Sequence, residues 1–273
     1  NVLDFIGNYK KANLVPFLLS GKEYSVAECK KNKQGDYEFP EECIVDFDFR
    51  IIDIFKKQAE REMKVKDKIK EQFDIVSDML GHRPSRVELF TYMDDDVYQN
   101  IRSKNKSMDP FKNYLEYIKE NDELSYDEEI LYNSRGREFI NMIETTSMSK
   151  TYKMPVLLAF YNDGDIKMEI SEDDIYKSFY DFYRKGSNKV DKSTSDFMSW
   201  DKKKYISLAK NNPIKFLIKT HGDFFKEKDN CILALQDDLK ELIGSKAFKE
   251  HMLDAIDLRV ETYYKNRFFN KRK

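Results

Sequence analysis

The sequence predicts a mostly α-helical protein, bundle-like modules with a few short strands. Three observations lead there. Nine glycines and six prolines in 273 residues are too few turn formers for a sandwich or barrel. Charged residues make up 36% and aromatic residues 14%, which fits solvated helices around a core rather than disorder. Residues 50–80 carry Ile52, Phe55, Ala59, Met63, Ile69, Phe73, Val76 and Leu80 at mostly three- and four-residue steps, with one break at Lys66. That is the spacing of an amphipathic helix or two.

The elements follow in order. Val2–Ile6 is a short apolar run stopped by Gly7-Asn8, expected to be a buried strand. Lacking neighbours, it reads as the last strand of a domain lying upstream. Residues 12–19 suit a short helix, 22–40 a charged surface loop, and 44–49 a half-buried strand with Val45, Phe47 and Phe49 on one face. After the 50–80 segment, Gly81 stops the helix and Ser85-Arg-Val-Glu88 is a capping box that opens the next. Helix, glycine stop, capped restart is a helix-turn-helix outline. Met108-Asp109-Pro110 is expected to start a helix, residues 122–132 to form a short one, and Ser134 to cap another. Residues 145–150 read as a polar link.

Beyond it come an apolar helix over 152–161, a turn at Asn162–Asp165, a strand at 166–170 and a helix capped by Ser171-Glu-Asp-Asp174. Arg184–Ser195 is rich in Lys, Gly, Ser and Asn and is the most mobile stretch expected. A basic helix follows Trp200, and Asn212-Pro213 is expected to open the next. Phe224-Phe225 and Cys231–Leu233 bracket a hairpin. A helix over 235–243 stops at Gly244, and Ser245 caps the last helix, with Phe248, Met252, Ile256, Val260 and Tyr263 on its face. Helices, a small β element and another helix make a winged-helix-like order. The expected divisions are 1–49, 50–148 and 149–273.

The net charge of −2 argues against a basic nucleic-acid binder as a whole. The charge is uneven, however: from Trp200 onward there are 17 Lys+Arg against 11 Asp+Glu, and before it 31 against 39. Phosphate contact is therefore expected in the C-terminal third. Cys29, Cys43 and Cys231 are odd in number and lack zinc-site spacing, so neither a disulfide framework nor a metal site is expected, and a cytoplasmic setting is. No apolar run approaches the ~20 residues of a membrane span.

Asp4-Phe-Ile-Gly-Asn-Tyr9 resembles the DFIGN(Y/H) signature that follows the second motor domain of certain bacterial superfamily 2 (DEAD/DEAH-box type) helicases. Leu80-Gly-His-Arg-Pro-Ser-Arg-Val-Glu-Leu89 is similar to turns of helicase-associated and sigma-factor-type helical modules. The order of YKMPVLLAF, SEDDIYKSFYDFY and NPIKFL resembles the C-terminal region of the same helicases. The resemblance implies a non-catalytic accessory region that binds or positions nucleic acid, DNA rather than RNA. Its partners would be its own motor domains and nucleic acid, with a further protein partner in the alternative of a docking module, and no membrane. ATP and Mg²⁺ would act only in the motor domains.

The residues agree with a non-catalytic role. No G-x-x-x-x-G-K-[ST] phosphate loop occurs, so no cofactor and no catalytic residue is expected in this chain. Asp46 and Asp48 share a strand face and would suit a metal-dependent nuclease, the second alternative, but a polar strand face explains them more simply. Asp94–Asp96 suits a helix start, and His82, His221 and His251 show no triad spacing. The candidate nucleic-acid residues are His82, Arg83 and Arg86 at the start of the recognition-helix candidate, Arg135 and Arg137 at another helix start, Trp200 with Lys202, Lys203 and Lys204, and Lys226 and Lys228 on the hairpin. Solvated helix surface is the simpler account of each.

Overall fold

The computed structural model describes residues 65–104, 109–162, 164–191 and 195–270. The strands expected over 2–6 and 44–49, the helix over 12–19, Asp46, Asp48, Cys29 and Cys43 lie outside the described residues. The chain divides into two compact units, 1–72 and 73–273, and the second is the one described below. The link at 145–150 lies within it.

Eleven α-helices and three short strands occur among the described residues, a mostly α fold. Helix α1 (Val65–Leu80) ends at Gly81, whose φ of +75° is the left-handed conformation a glycine adopts without penalty. Helix α2 (Arg86–Tyr92) opens with the expected capping box: Ser85 Oγ accepts from Glu88 N–H, and the Glu88 carboxylate accepts from Ser85 N–H. Helices α3 (Asp95–Lys104), α4 (Tyr114–Glu120), α5 (Tyr126–Tyr132), α6 (Arg135–Thr145) and α7 (Lys153–Ala159) follow.

Asp109-Pro110 does not start a helix; α4 begins only at Tyr114. Asp109 is buried, and its carboxylate instead closes a turn on the backbone N–H of Phe111, 3.0 Å away. Ser125 caps α5 through a second capping box, and Ser134 caps α6 as expected.

Strand β1 (Glu169–Ile170) precedes α8 (Glu172–Arg184), which has Ser171 at its N-cap. Residues 186–191, expected to be the most mobile, form a 3-10 helix with a buried end. Asp191 is fully buried there and accepts from Thr151 N–H (2.8 Å), Thr151 Oγ1 (2.6 Å), Tyr263 Oη (2.8 Å) and Arg267 Nη1. A carboxylate with that many donors fixes the segment that carries it.

Helix α9 (Lys202–Ala209) passes through a π-helical turn (Lys210–Ile214) into α10 (Lys215–Thr220). Pro213 therefore sits inside a helical run rather than opening one. The wider turn accommodates a residue without an N–H and relieves its ring from the preceding carbonyl. Strands β2 (Phe225–Lys226) and β3 (Leu233–Leu235) form the expected hairpin, and β1 pairs on the other side of β3. All pairs are antiparallel, with Ile170 opposite Leu233 and Phe225 opposite Leu235.

A 3-10 helix over Asp237–Leu242 replaces the α-helix expected at 235–243, because β3 holds its first residue. The last helix, α11 (Lys246–Asn270), packs against α2, α5, α6 and α7 and so forms the spine of this unit. Phe248, Met252, Ala255, Ile256 and Leu258 are buried along it, and Phe139 of α6 meets the rings of Phe224, Phe225 and Phe248.

Candidate nucleic-acid interface

Most of the sequence-predicted cations are held by acids of the same chain. Arg83 donates to both oxygens of Glu128, at 3.0 Å from Nη1. Arg86, expected at the head of a recognition helix, is 0% exposed. Its Nε donates to Glu144 at 2.6 Å and its Nη1 to Asp254 at 3.0 Å, and the guanidinium lies 4.5 Å from the Tyr114 ring centre. Asp254 also accepts from the backbone N–H groups of Arg86 and Val87, so a carboxylate of α11 occupies the anion-binding start of α2. No phosphate reaches Arg86 without breaking this cluster, a correction to the expected site.

Arg135 pairs with Glu138 and with Asp238 (3.3 Å) and lies over Phe224. Arg137 lies 3.7 Å from Glu116 and over Tyr132. On the hairpin, Lys226 pairs with Asp237 at 2.7 Å and Lys228 with Glu169. Lys202 pairs with Asp173, and Trp200 packs edge-on against Tyr205 with centroids 5.6 Å apart. His82 is exposed, with Nε2 3.7 Å from Glu88. These surface pairs exchange with solvent easily, so they reduce the field available to a phosphate without closing the surface.

Lys203 and Lys204 differ. Both are exposed, and neither has an ion-pair partner among the described residues. They begin a run, 202–220, that contains six lysines and no acid. Asp201 caps α9 by accepting from Lys204 N–H at 2.9 Å. Tyr205, Ile206, Ala209, Pro213, Ile214 and Leu217 turn inward, which leaves Lys203, Lys204, Lys210, Lys215 and Lys219 outside. Lys210 pairs with Glu172 at 2.9 Å; Lys215 and Lys219, like Lys203 and Lys204, have no carboxylate partner among the described residues.

Beside α10 lies a groove of 930 Å³ lined by Lys210, Lys215, Lys219 and Lys228, by the hairpin acids Glu227 and Asp229, and by Ile214, Ile218 and Ile232. Lys210, Lys215 and Lys219 are single residues several positions apart, so a sequence pattern of clustered cations does not include them. The signal that finds them is the absence of any acid over the 19 residues from 202 to 220.

The buried cluster at α2 carries a pH signature. Arginine only donates, so the 2.9 Å contact from Arg86 Nη1 makes His251 Nδ1 the acceptor. The proton then sits on Nε2, which donates to Glu128 Oε1 at 2.8 Å. Burial first, and then the Arg86 charge, hold His251 below its ordinary pKa, against the pull of Glu128. Glu128, although buried, is pulled well below the carboxylate range by its bonds to His251 and Arg83.

Both shifts have the same sign: the unfolded chain binds more protons as pH falls. Stability is full above the ordinary histidine pKa of ~6.5 and declines below it. The urea midpoint is therefore expected to fall between neutral pH and mildly acidic pH. His251→Gln can keep both hydrogen bonds without titrating, so it should flatten that decline; an unchanged pH dependence in this variant would exclude His251 as its source.

Among the described residues there is no cluster of His, Cys, Asp and Glu suited to a metal ion, and no helix is long and apolar enough to cross a membrane. No family model, no curated protein and no solved structure matches this chain.

Proposed function

We propose that this chain is a non-catalytic accessory region of a bacterial superfamily 2 helicase, acting in the cytoplasm, and that its 202–220 face positions DNA for the motor domains. The observation that carries the reading is the acid-free helical run with four exposed lysines, Lys203, Lys204, Lys215 and Lys219, that form no ion pair among the described residues. Such a face binds phosphates by releasing condensed counterions, which needs no base-specific contact. The sequence resemblance supplies the context, with ATP and Mg²⁺ acting in the motor domains.

Fluorescence anisotropy with labelled DNA over a salt series tests this. Binding is expected at about 50 mM salt and should weaken steeply as salt rises. Replacing Lys203, Lys204, Lys215 and Lys219 together by Ala should weaken it at least tenfold at low salt. The slope should also fall by roughly 0.7–0.9 for each phosphate that is no longer neutralised. A wild-type protein that does not bind at low salt would sink the reading.

A docking module is the second reading. It is favoured by the intramolecular pairing of Arg83, Arg86, Arg135, Arg137, Lys202, Lys226 and Lys228. It is favoured also by Ile75 and Met79, one helical turn apart on α1 and 52% and 56% exposed. Absent DNA binding, with binding to the isolated motor domains, would support it.

A further inference from the structure

A second groove, of 460 Å³, lies along α10 and has Ser147, Lys150 and Lys153 on one wall and Asn212, Phe216 and Thr220 on the other. Its lining includes two lysines, Lys150 and Lys153, and no acid among the described residues. Three basic side chains converge on Thr146, and of these only Lys153 faces the groove. Lys153 Nζ donates to Thr146 Oγ1 at 2.9 Å, His221 Nε2 lies 3.0 Å from the same oxygen, and Arg259 Nη2 donates to Thr146 O at 2.5 Å.

None of the three has an ion pair among the described residues, and Arg259 Nε is buried with no hydrogen-bond partner. The acids they feel are Glu144, which is bonded to Arg86, and Asp223. Burial and Arg259 hold the Lys153 ammonium below its ordinary pKa. Its second bond goes to Ser147 O at 3.0 Å, which leaves one of three N–H donors for the groove.

Lys153 and Arg259 are part-buried cations without a counterion among the described residues, which favours an anion beside them, whereas burial and the Lys153 charge hold His221 below its ordinary pKa and leave it neutral near pH 7. Phe216 adds a second requirement. Its ring is 47% exposed in the same groove, and it follows Lys215 in α10. An exposed ring beside phosphate-binding lysines is a stacking platform for a base.

We propose that this groove takes single-stranded nucleic acid, one phosphodiester beside Lys150 and Lys153 and the adjoining base stacked on Phe216. The proposal rests on the nucleic-acid reading above and specifies its substrate. Duplex DNA does not fit this role, because its bases are already stacked on one another and present no face to Phe216. Lys215 and Lys219, on either side of Phe216 in the sequence, line the first groove on the neighbouring face of α10.

The test is anisotropy with a fluorescein-labelled thymidine oligonucleotide and a labelled duplex of equal length, on the full 273-residue chain. Phe216→Ala should weaken strand binding at least about fivefold and leave duplex binding nearly unchanged. Lys153→Gln, which keeps a donor for Thr146, should weaken strand binding and lower its salt slope by about 0.7.

Equal losses for strand and duplex, no loss for the strand, or competition by inorganic phosphate as strong as by a thymidine dinucleotide would overturn the proposal. If the four-lysine variant loses the strand and Phe216→Ala does not, the groove is wrong and the basic face stands. If Phe216→Ala and Lys153→Gln lose it and the four-lysine variant does not, the groove stands alone. A wild-type chain that binds the duplex but no strand overturns the groove and leaves the DNA reading standing, and one that binds neither removes both.

Discussion

Arg86→Ala should lower the free energy of unfolding by ~3–5 kcal/mol, the range for removing one partner of a buried ion pair. The loss comes less from the missing attraction than from what is left behind. Glu144 is 1% exposed, burial already holds its pKa above the ordinary carboxylate value, and without its cation it would keep only Tyr114 N–H at 3.3 Å and Asn141 at 3.5 Å as donors. His251 Nδ1 would lose its donor as well. Asp254 would keep only the backbone N–H groups at the start of α2.

The companion experiment removes charge from both sides. Arg86→Met with Glu144→Leu should recover much of the loss, because apolar replacement of a whole buried pair is often close to neutral. Urea unfolding followed by circular dichroism measures both. A loss below ~1 kcal/mol for Arg86→Ala would mean that the cluster is hydrated and open.

Phe139→Ala should cost a similar ~3–5 kcal/mol, by a different route. Its ring is 0% exposed and meets Phe224, Phe225 and Phe248 at centroid distances of 5.6, 5.9 and 5.6 Å. These four rings join α6, the hairpin and α11. Truncation removes transfer energy and leaves a cavity that three aromatic rings fixed on the hairpin and α11 cannot collapse to fill. Phe139→Leu, which refills part of the volume, should cost less. Tyr126→Ala, at a side chain 78% exposed, should stay within ~0.5 kcal/mol. Equal effects at Phe139 and Tyr126 would mean that the aromatic cluster is not a packed core.

The local start signals were legible. Ser85-Arg-Val-Glu88 and Ser171-Glu-Asp-Asp174 place helix starts because the capping box is a contact between residues three apart. The same rule was available at Ser125-Tyr-Asp-Glu128, where it fixes the start of α5. Prolines misled in two places. Pro110 follows an Asp that closes a turn, and Pro213 sits in a π-helical turn; whether a proline begins, ends or interrupts a helix depends on carbonyls whose positions neighbouring elements set.

The charged residues divide the two levels most clearly. Arg86 and Lys203 look alike in a sequence, each at the first turns of a capped helix. One is fully buried between Glu144 and Asp254, and the other is exposed. By itself the sequence determined the mostly helical class, several helix starts, the hairpin and the acid-free lysine run, because each depends on residues close together in the chain. Only the tertiary structure decided which cations remain available to an anion, because their carboxylate partners lie as far as 170 positions away, and the strength of a charge is set by what folds against it.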